Sequence, residues 1–517
     1  MKKSGKRTAI FIFALIFLME FSFGFYLSYI YGFMSGDALS RVSNAFYVLY
    51  SRFPALANIG FVWNPLPSIM ELFLLLFQPW IPALASDGLA AVLLTSLFSA
   101  LSAAMLVKAG LRFGLNLQLS LVLALLYAFN PYIFYYGANG LTEVIFIYFL
   151  QLIVIQFLLW MDKADIRPMI FIAFALAAAF WTRYEAIPFG VAISLAVGIV
   201  IFKMRDEQKT WRERWGTAEG IWIVLITPVI YSGFLWLFFN YTIMGNAFYF
   251  LTSSYSNLGQ AELIKDSQAF AKLIGHPWLA IKVVADKVGY FCLPLGVIAL
   301  IRMVERRIFR WDFLILLLLV FSIPSLQLLL LIKGASAAWI RYYMYPLPLA
   351  MAYLPYEISR MKFRKIGISL LIVSLIVTMG IMLKVMNNPN VASDEYEAFH
   401  QSKLYEEQAV KREVARYISQ NMSQNQHILT DSFSSFSIIM SSKHPKSFII
   451  TSDHDFQAAL KDPVGQGVDF ILIPIPNAVL KLDAVNQLYP NLYEHGASWT
   501  TLYKDFGGYW KLYKINR

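Results

Sequence analysis

The sequence predicts an α-helical polytopic membrane protein, with about eleven transmembrane helices over residues 1–386 and a small α/β domain over residues 387–517. Three observations predict it. Charged residues make up 15% of the chain and hydrophobic ones 58%, whereas a water-facing surface needs roughly a quarter charged. Apolar runs of about twenty residues, enough to cross a bilayer as a helix, recur as far as residue 385. Beyond that point the composition turns polar, and short apolar runs of strand length alternate with helical pieces.

The first span covers residues 8–31. Lys2, Lys3, Lys6 and Arg7 precede it and hold the N-terminus in the cytoplasm. No small-residue cleavage site follows, so the segment reads as an uncleaved span rather than a signal peptide. Glu20 lies near its middle, where a carboxyl is costly and should face a polar neighbour inside the bundle. A large external loop, residues 31–87, comes next. It is too polar to span and too aromatic to be idle, and connections this long are usually functional. Asn64, Pro65 and Pro67 break it. The run 66–84 is interrupted by Glu71, Pro79 and Pro82, which favours a helix lying on the outer interface.

Spans over 88–108, 117–136 and 144–161 follow, with Lys108 and Arg112 inside and Glu143 outside. The fifth climbs to Trp181 and ends at Thr182-Arg183-Tyr184-Glu185; the sixth returns to the basic loop 203–214. The seventh rises over 220–241 into an external segment reaching Pro277. Lys282 and Asp286 are spaced for a helical ion pair on an interfacial stretch. The eighth descends over 289–301 to Arg302, Arg306, Arg307 and Arg310, and the ninth rises over 313–332 to KGASAAWIRYYMYP. The tenth runs from 346 to 360 and the eleventh over 366–385. Basic clusters fall at alternate connections, which puts the C-terminal domain outside the cell membrane. In that domain residues 394–420 have helical periodicity, HILTD, SFIIT and DFILIPI read as buried strands, and FQAALKD as a helix.

The net charge of +11 falls in short clusters between apolar runs, the pattern of cytoplasmic loops rather than of a nucleic-acid binder. Cys292 is the sole cysteine, which excludes an internal disulfide and a cysteine metal cluster. His276, His400, His427 and His444 lack metal-ligand spacing. Asp453-His454-Asp455 imitates the Asp-X-Asp signature of nucleotide-sugar transferases, but its domain is too small for that fold, and it reads as a loop cap or chance.

Candidate functional residues gather at outer ends: Asp37, Glu143 and Glu185, with Arg41, Arg183 and Arg341. Each has a plainer explanation. Ser35 or Asp37 could cap the helix that follows, with Arg41 as its i, i+4 partner. Glu143 could be a first-turn acid. Arg183 and Glu185 could pair with each other, and Arg341 could anchor at the interface. Their shared side and depth favour function. A carboxylate there can take a proton from an attacking hydroxyl. Arginine forks, or a divalent ion such as magnesium or manganese, can hold a departing phosphate. Nucleotide sugars are not expected outside a bacterial membrane, so a lipid-carried donor is the consistent one.

SGDALSR after the first span, then a helix beginning at WNPLP, resembles the first external loop of the GT-C superfamily of membrane glycosyltransferases. The nearest likeness is to the polyprenyl- and dolichyl-phosphate-sugar transferases, including protein O-mannosyltransferases and the aminoarabinose transferase of lipid A. NGLTE is similar to a Ser/Thr-Glu pattern of that group, and WIRYYMYP to an Arg-Tyr motif late in the fold. The resemblance implies Asp37 as catalytic base or metal ligand, with Arg41, Asn64, Glu143, Arg183, Glu185 and Arg341 binding or supporting the donor phosphate. Two features depart from the pattern: Asp37 has no adjacent acid, and Asn64-Pro65 stands where the family often has His-Pro-Pro.

The expected activity is inverting transfer of a sugar from a polyprenyl-phosphate carrier to an outer-face glycan, lipid or protein. Two rivals remain. A lipid-linked-sugar transporter or flippase predicts ionisable residues at mid-depth in several spans, where only Glu20 is found. A non-catalytic scaffold acting through its outer domain predicts that Asp37 is dispensable.

Overall fold

The computed structural model describes residues 3–163, 165–204, 210–256, 259, 271–400 and 403–516. Parts of the basic loop expected over 203–214 and of the segment leading to Pro277 lie outside the described residues.

Helix α1 (Lys3–Phe25) continues as a π-helical stretch, Tyr26–Tyr31, and stops at Gly32, whose φ of 79° is left-handed. Two shorter helices follow, α2 (Gly36–Tyr50) and α3 (Leu66–Leu75). The centre of the bundle is α4 (Leu89–Arg112), buried over most of its length. Its small residues Ala90, Ser96, Ala100 and Ala103 let neighbouring backbones approach closely. Glu20 of α1 is fully buried there and accepts a hydrogen bond from Ser99 Oγ at 2.8 Å. The close approach needs glycine at 137, because any side chain would collide with the Glu20 carboxyl. Packing against a polar neighbour thus accounts for Glu20.

The third expected span is not one straight helix. It is α5 (Leu117–Ala128) and α6 (Pro131–Ala138), bent by 68°. Asn130 accepts from the Tyr132 amide and Pro131 has no amide to continue the α5 ladder, so a new helix starts there. Next come α7 (Glu143–Lys163), α8 (Arg167–Thr182), α9 (Ala186–Ile199) and α10 (Trp211–Met244). The eighth expected span is likewise a bent pair, α11 (Pro277–Gly289) and α12 (Leu293–Val304), at 87°. Pro294 at the start of α12 again suits a fresh N-terminus. The expected Lys282–Asp286 ion pair does not form; Lys282 stands over the Trp278 ring, and Asp286 accepts from Tyr290.

The bundle closes with α13 (Trp311–Ile332), α14 (Pro346–Arg360) and α15 (Arg364–Met386). All eleven expected segments are helical, but seven are long and apolar enough to cross a membrane, or nine if each bent pair is one span. The two that fall short are α8 and α14, at 16 and 15 residues, because a 30 Å core needs about twenty residues at 1.5 Å each. Among the described residues, length and composition alone qualify seven to nine spans.

Of the four arginines expected as a solvated basic cluster, Arg306 and Arg310 are exposed. Arg302 and Arg307 are instead buried. Arg302 forks onto Asp312 at 3.0 and 2.9 Å and donates to Glu357 at 2.8 Å. Arg307 reaches Glu357 at 2.8 Å and also pairs with Glu305. Glu305 in turn accepts the Lys362 and Phe363 amides.

After Met386 come α16 (Ser393–Phe399) and α17 (Lys403–Asn421). A five-stranded sheet follows in the order β2-β1-β3-β5-β4. The three expected strands are β1 (Ile428–Leu429), β2 (Phe448–Ile449) and the wholly buried β3 (Phe470–Pro474), all mutually parallel. Helix α18 (Ser432–Ser441) lies between β1 and β2, and FQAALKD is helical over Phe456–Lys461. The hairpin of β4 (Thr500–Phe506) and β5 (Trp510–Ile515) was not expected. Its turn holds Gly507 and Gly508 at φ 64° and 72°, values that favour glycine.

Candidate active site

Asp37 lies in the first turn of α2. Ser35 is the N-cap residue but makes no side-chain capping bond, and Asp37 does not pair with Arg41. Its Oδ2 accepts from Arg341 Nη2 at 2.5 Å. A tertiary cation has displaced the local partner. The Asp37 side chain is 62% exposed and that of Arg341 3%, so the acid faces open space and the base supports it from behind.

Arg341 sits on a 3₁₀ turn, Ile340–Tyr343. Ala338 before it has φ 50°, uncommon for a residue with a side chain, and its carbonyl accepts from Lys287 Nζ at 2.5 Å. The guanidinium lies over the rings of Trp339 and Tyr342, 4.4 and 5.5 Å from their centroids. Glu143, the first residue of α7, is buried. Its Oε1 accepts from Arg183 Nη1 at 2.8 Å and stands 3.7 Å from Arg341 Nε. Arg183, just past the end of α8, also forks onto Glu185 at 2.8 and 3.3 Å. Asp37, Arg341, Glu143, Arg183 and Glu185 thus form one row of alternating charge. Burial alone would lower both arginines. The acids beside them, Glu185 and Glu143 at Arg183 and Asp37 at Arg341, outweigh it and hold both above the usual range. Burial would raise Glu185, but Arg183 holds it below its ordinary value.

Arg41 is different. Its Nη1 donates to the Asn64 carbonyl at 2.7 Å and its guanidinium lies 5.6 Å from the Trp63 ring, and it makes no ion pair among the described residues. Burial and the neighbouring Arg183 push it down to about 10, so it stays cationic at neutral pH. Asn64 is buried and donates to the Phe180 carbonyl at 2.6 Å. It therefore ties Arg41 to the end of α8.

Three acids near this row were not singled out from the sequence. Glu71 of α3 is buried within electrostatic reach of Arg41, and burial pushes its carboxyl up. Asp394 and Glu395 stand at the start of α16. Burial pushes Asp394 up while Arg341 opposes it. Glu395 accepts from the hydroxyls of both Tyr132 and Tyr136. The acidic run DEYE lies in the segment 394–420, which was read only for its helical periodicity.

A divalent ion needs several oxygen ligands. Among the described residues no three His, Cys, Asp or Glu side chains converge. Asp37 faces a guanidinium, and Glu143 and Glu185 are engaged by Arg183. The donor set does not fit a divalent ion at Asp37. It suits an anion between arginines, beside an exposed carboxylate.

Residues 69–232 match the family described as dolichyl-phosphate-mannose-protein mannosyltransferase. No functionally curated protein matches the chain significantly. Among solved structures, the crystal structure of ArnT from Cupriavidus metallidurans bound to undecaprenyl phosphate aligns over 98% of this chain and 97% of its own. The TM-score is 0.55 and the identity 12%. Both comparisons support a likeness to the GT-C membrane glycosyltransferases, in sequence over residues 69–232, which begin after the first-loop motifs, and in fold over nearly the whole length.

Proposed function

We propose that the protein transfers a sugar from a polyprenyl-phosphate carrier to an acceptor hydroxyl at the end of the bundle that bears the sheet, on the extracytoplasmic side of the cell membrane. The observation that carries this is Arg41: a cation beside Arg183 that makes no ion pair among the described residues, one helical turn from the exposed Asp37. Such a position suits the phosphate of the donor. The undecaprenyl phosphate of the ArnT structure supports a polyprenyl carrier.

In the proposed reaction Asp37 takes the proton of the acceptor hydroxyl as its oxygen attacks the anomeric carbon. The bond from that carbon to the phosphate oxygen breaks, and its electron pair leaves with polyprenyl phosphate, which gains a second negative charge. Arg41 and Arg183 counter that charge as it develops. Arg341 keeps Asp37 aimed, and Glu143 and Glu185 hold the arginines in place. A single displacement of this kind inverts the anomeric centre. The alternation of basic loops supports a cytoplasmic N-terminus and an outer C-terminal part.

Membranes carrying wild-type protein or Asp37→Asn are supplied with a panel of radiolabelled polyprenyl-phosphate sugars. Transfer by the wild type and a loss of about a hundredfold or more in the folded variant is expected. Equal transfer by both removes Asp37 from the mechanism. Absence of transfer by the wild type from every donor rejects the reading.

A further inference from the structure

The loop carrying Asp37 is gripped at three points by the C-terminal part of the chain. Before α2, Gln408 of α17 makes a reciprocal pair with the backbone of Met34, accepting its amide at 3.1 Å and donating to its carbonyl at 2.5 Å. Arg412, one turn on, donates to the Gly32 carbonyl at 2.9 Å. Along its length α2 packs against α18. After α2, Arg52 pairs with both Asp453 and Asp455, and Phe53 lies against His454 with ring centroids 4.3 Å apart. The Asp453-His454-Asp455 motif, which forms no cluster able to hold a metal among the described residues, is thereby accounted for as a docking surface.

From this geometry we infer that the C-terminal part is a clamp that sets the position of Asp37, with Gln408 and Arg412 as its positioning residues. The residues immediately before α2 are held from two sides: the bundle takes the buried Phe33 and Met34 side chains and the Phe33 amide, and the tail takes the Met34 backbone and the Gly32 carbonyl. Ser35 supplies no capping bond, and Gly36 meets nothing within 4 Å of where a side chain would begin. Asp37 is then three residues past the last backbone tie at Met34 and must meet Arg341 at hydrogen-bond distance. Reactions that depend on near-attack geometry lose as much as a hundredfold for a displacement of about 1 Å. Release of the tail contacts therefore lowers turnover with no change at the donor site. The effect on turnover rests on the role proposed for Asp37; the mechanical clamp does not.

The test uses the full-length protein with Gly36→Cys in a Cys292→Ser background, Cys292 being the only native cysteine. A nitroxide at position 36 has room, by the same open space. Its mobility is read by electron paramagnetic resonance with and without Gln408→Ala, Arg412→Ala or Arg412→Lys. Kinetics are measured on the unlabelled variants beside Asp37→Asn. Expected are a more mobile label in both alanine variants, an intermediate one in Arg412→Lys, and kcat reduced about tenfold or more with donor KM unchanged. Combined with Asp37→Asn, Gln408→Ala has no further effect. Unchanged mobility overturns the clamp whatever the activity does. A mobile label with wild-type kcat, while Asp37→Asn is inactive, overturns its catalytic role. Full activity of Asp37→Asn removes Asp37 from the mechanism, and the clamp is then decided by mobility alone.

Discussion

Replacing Arg41 tests the anion site directly. In Arg41→Ala the chain loses one half-buried guanidinium and its bond to the Asn64 carbonyl. A hydrogen bond to a charged group contributes about 1.5–3 kcal/mol, or roughly ten- to a hundredfold in kcat/KM. Because the phosphate gains charge only as the glycosidic bond breaks, part of that loss falls on kcat rather than on donor KM. Arg41→Lys keeps the charge but forfeits the planar fork, so a smaller loss of about three- to tenfold is expected. Initial rates over a range of labelled lipid donor, in purified protein of verified fold, give both constants. The reasoning is refuted if Arg41→Ala leaves kcat and donor KM within about twofold of wild type, or if lysine is no better than alanine.

Two further outcomes concern stability. Asp483 in the C-terminal part is buried against Asp431, and burial together with that neighbour pushes it up to about 7. An unfolded aspartate titrates near 3.9. Between these values the folded protein holds a proton that the unfolded one lacks, so stability falls as pH rises, by up to about 1.4 kcal/mol per unit. Urea midpoints read by proteolysis of this region should therefore drop from pH 5.5 to 7.5, and Asp483→Asn should flatten the slope; a rise with pH would contradict the assignment. In the buried cluster at the other end of the bundle, Arg302→Met leaves buried Asp312 with only the exposed Arg310 at 3.9 Å and buried Glu357 with only Arg307. A loss of about 3–5 kcal/mol, seen as a lower Tm in detergent, is expected, with activity per folded molecule retained.

Much of the fold was legible because a bilayer leaves few options: long apolar runs must be helices, and basic clusters mark their ends. The bends within expected spans were not legible. A run such as residues 117–136 is apolar throughout, and hydropathy does not register that Asn130-Pro131 restarts the helix at 68°. At the site, side and depth predicted which charges would meet, and Asp37, Glu143, Arg183, Glu185 and Arg341 do form one row. Local spacing misled at Asp37 and Arg41, since partners 304 and 23 residues away win over the one four away. Asp394 and Glu395 reach the site through tertiary packing that no periodicity encodes. The β4–β5 hairpin, by contrast, did carry a local signal in its paired glycines and the alternation of Trp510, Leu512 and the residues between.

The ties between Met34 and Gln408 span 374 positions. The loop they hold is made early in translation and its holders are made almost last. Contacts so distant in sequence are slow to form, because a long stretch of chain must be closed before they repay its entropy. The spans can enter the membrane and pack before the tail exists, but the ties to Gly32 and Met34 form only once α17 has been made and docked: a chain that stops before residue 403 can acquire a bundle, but not these ties.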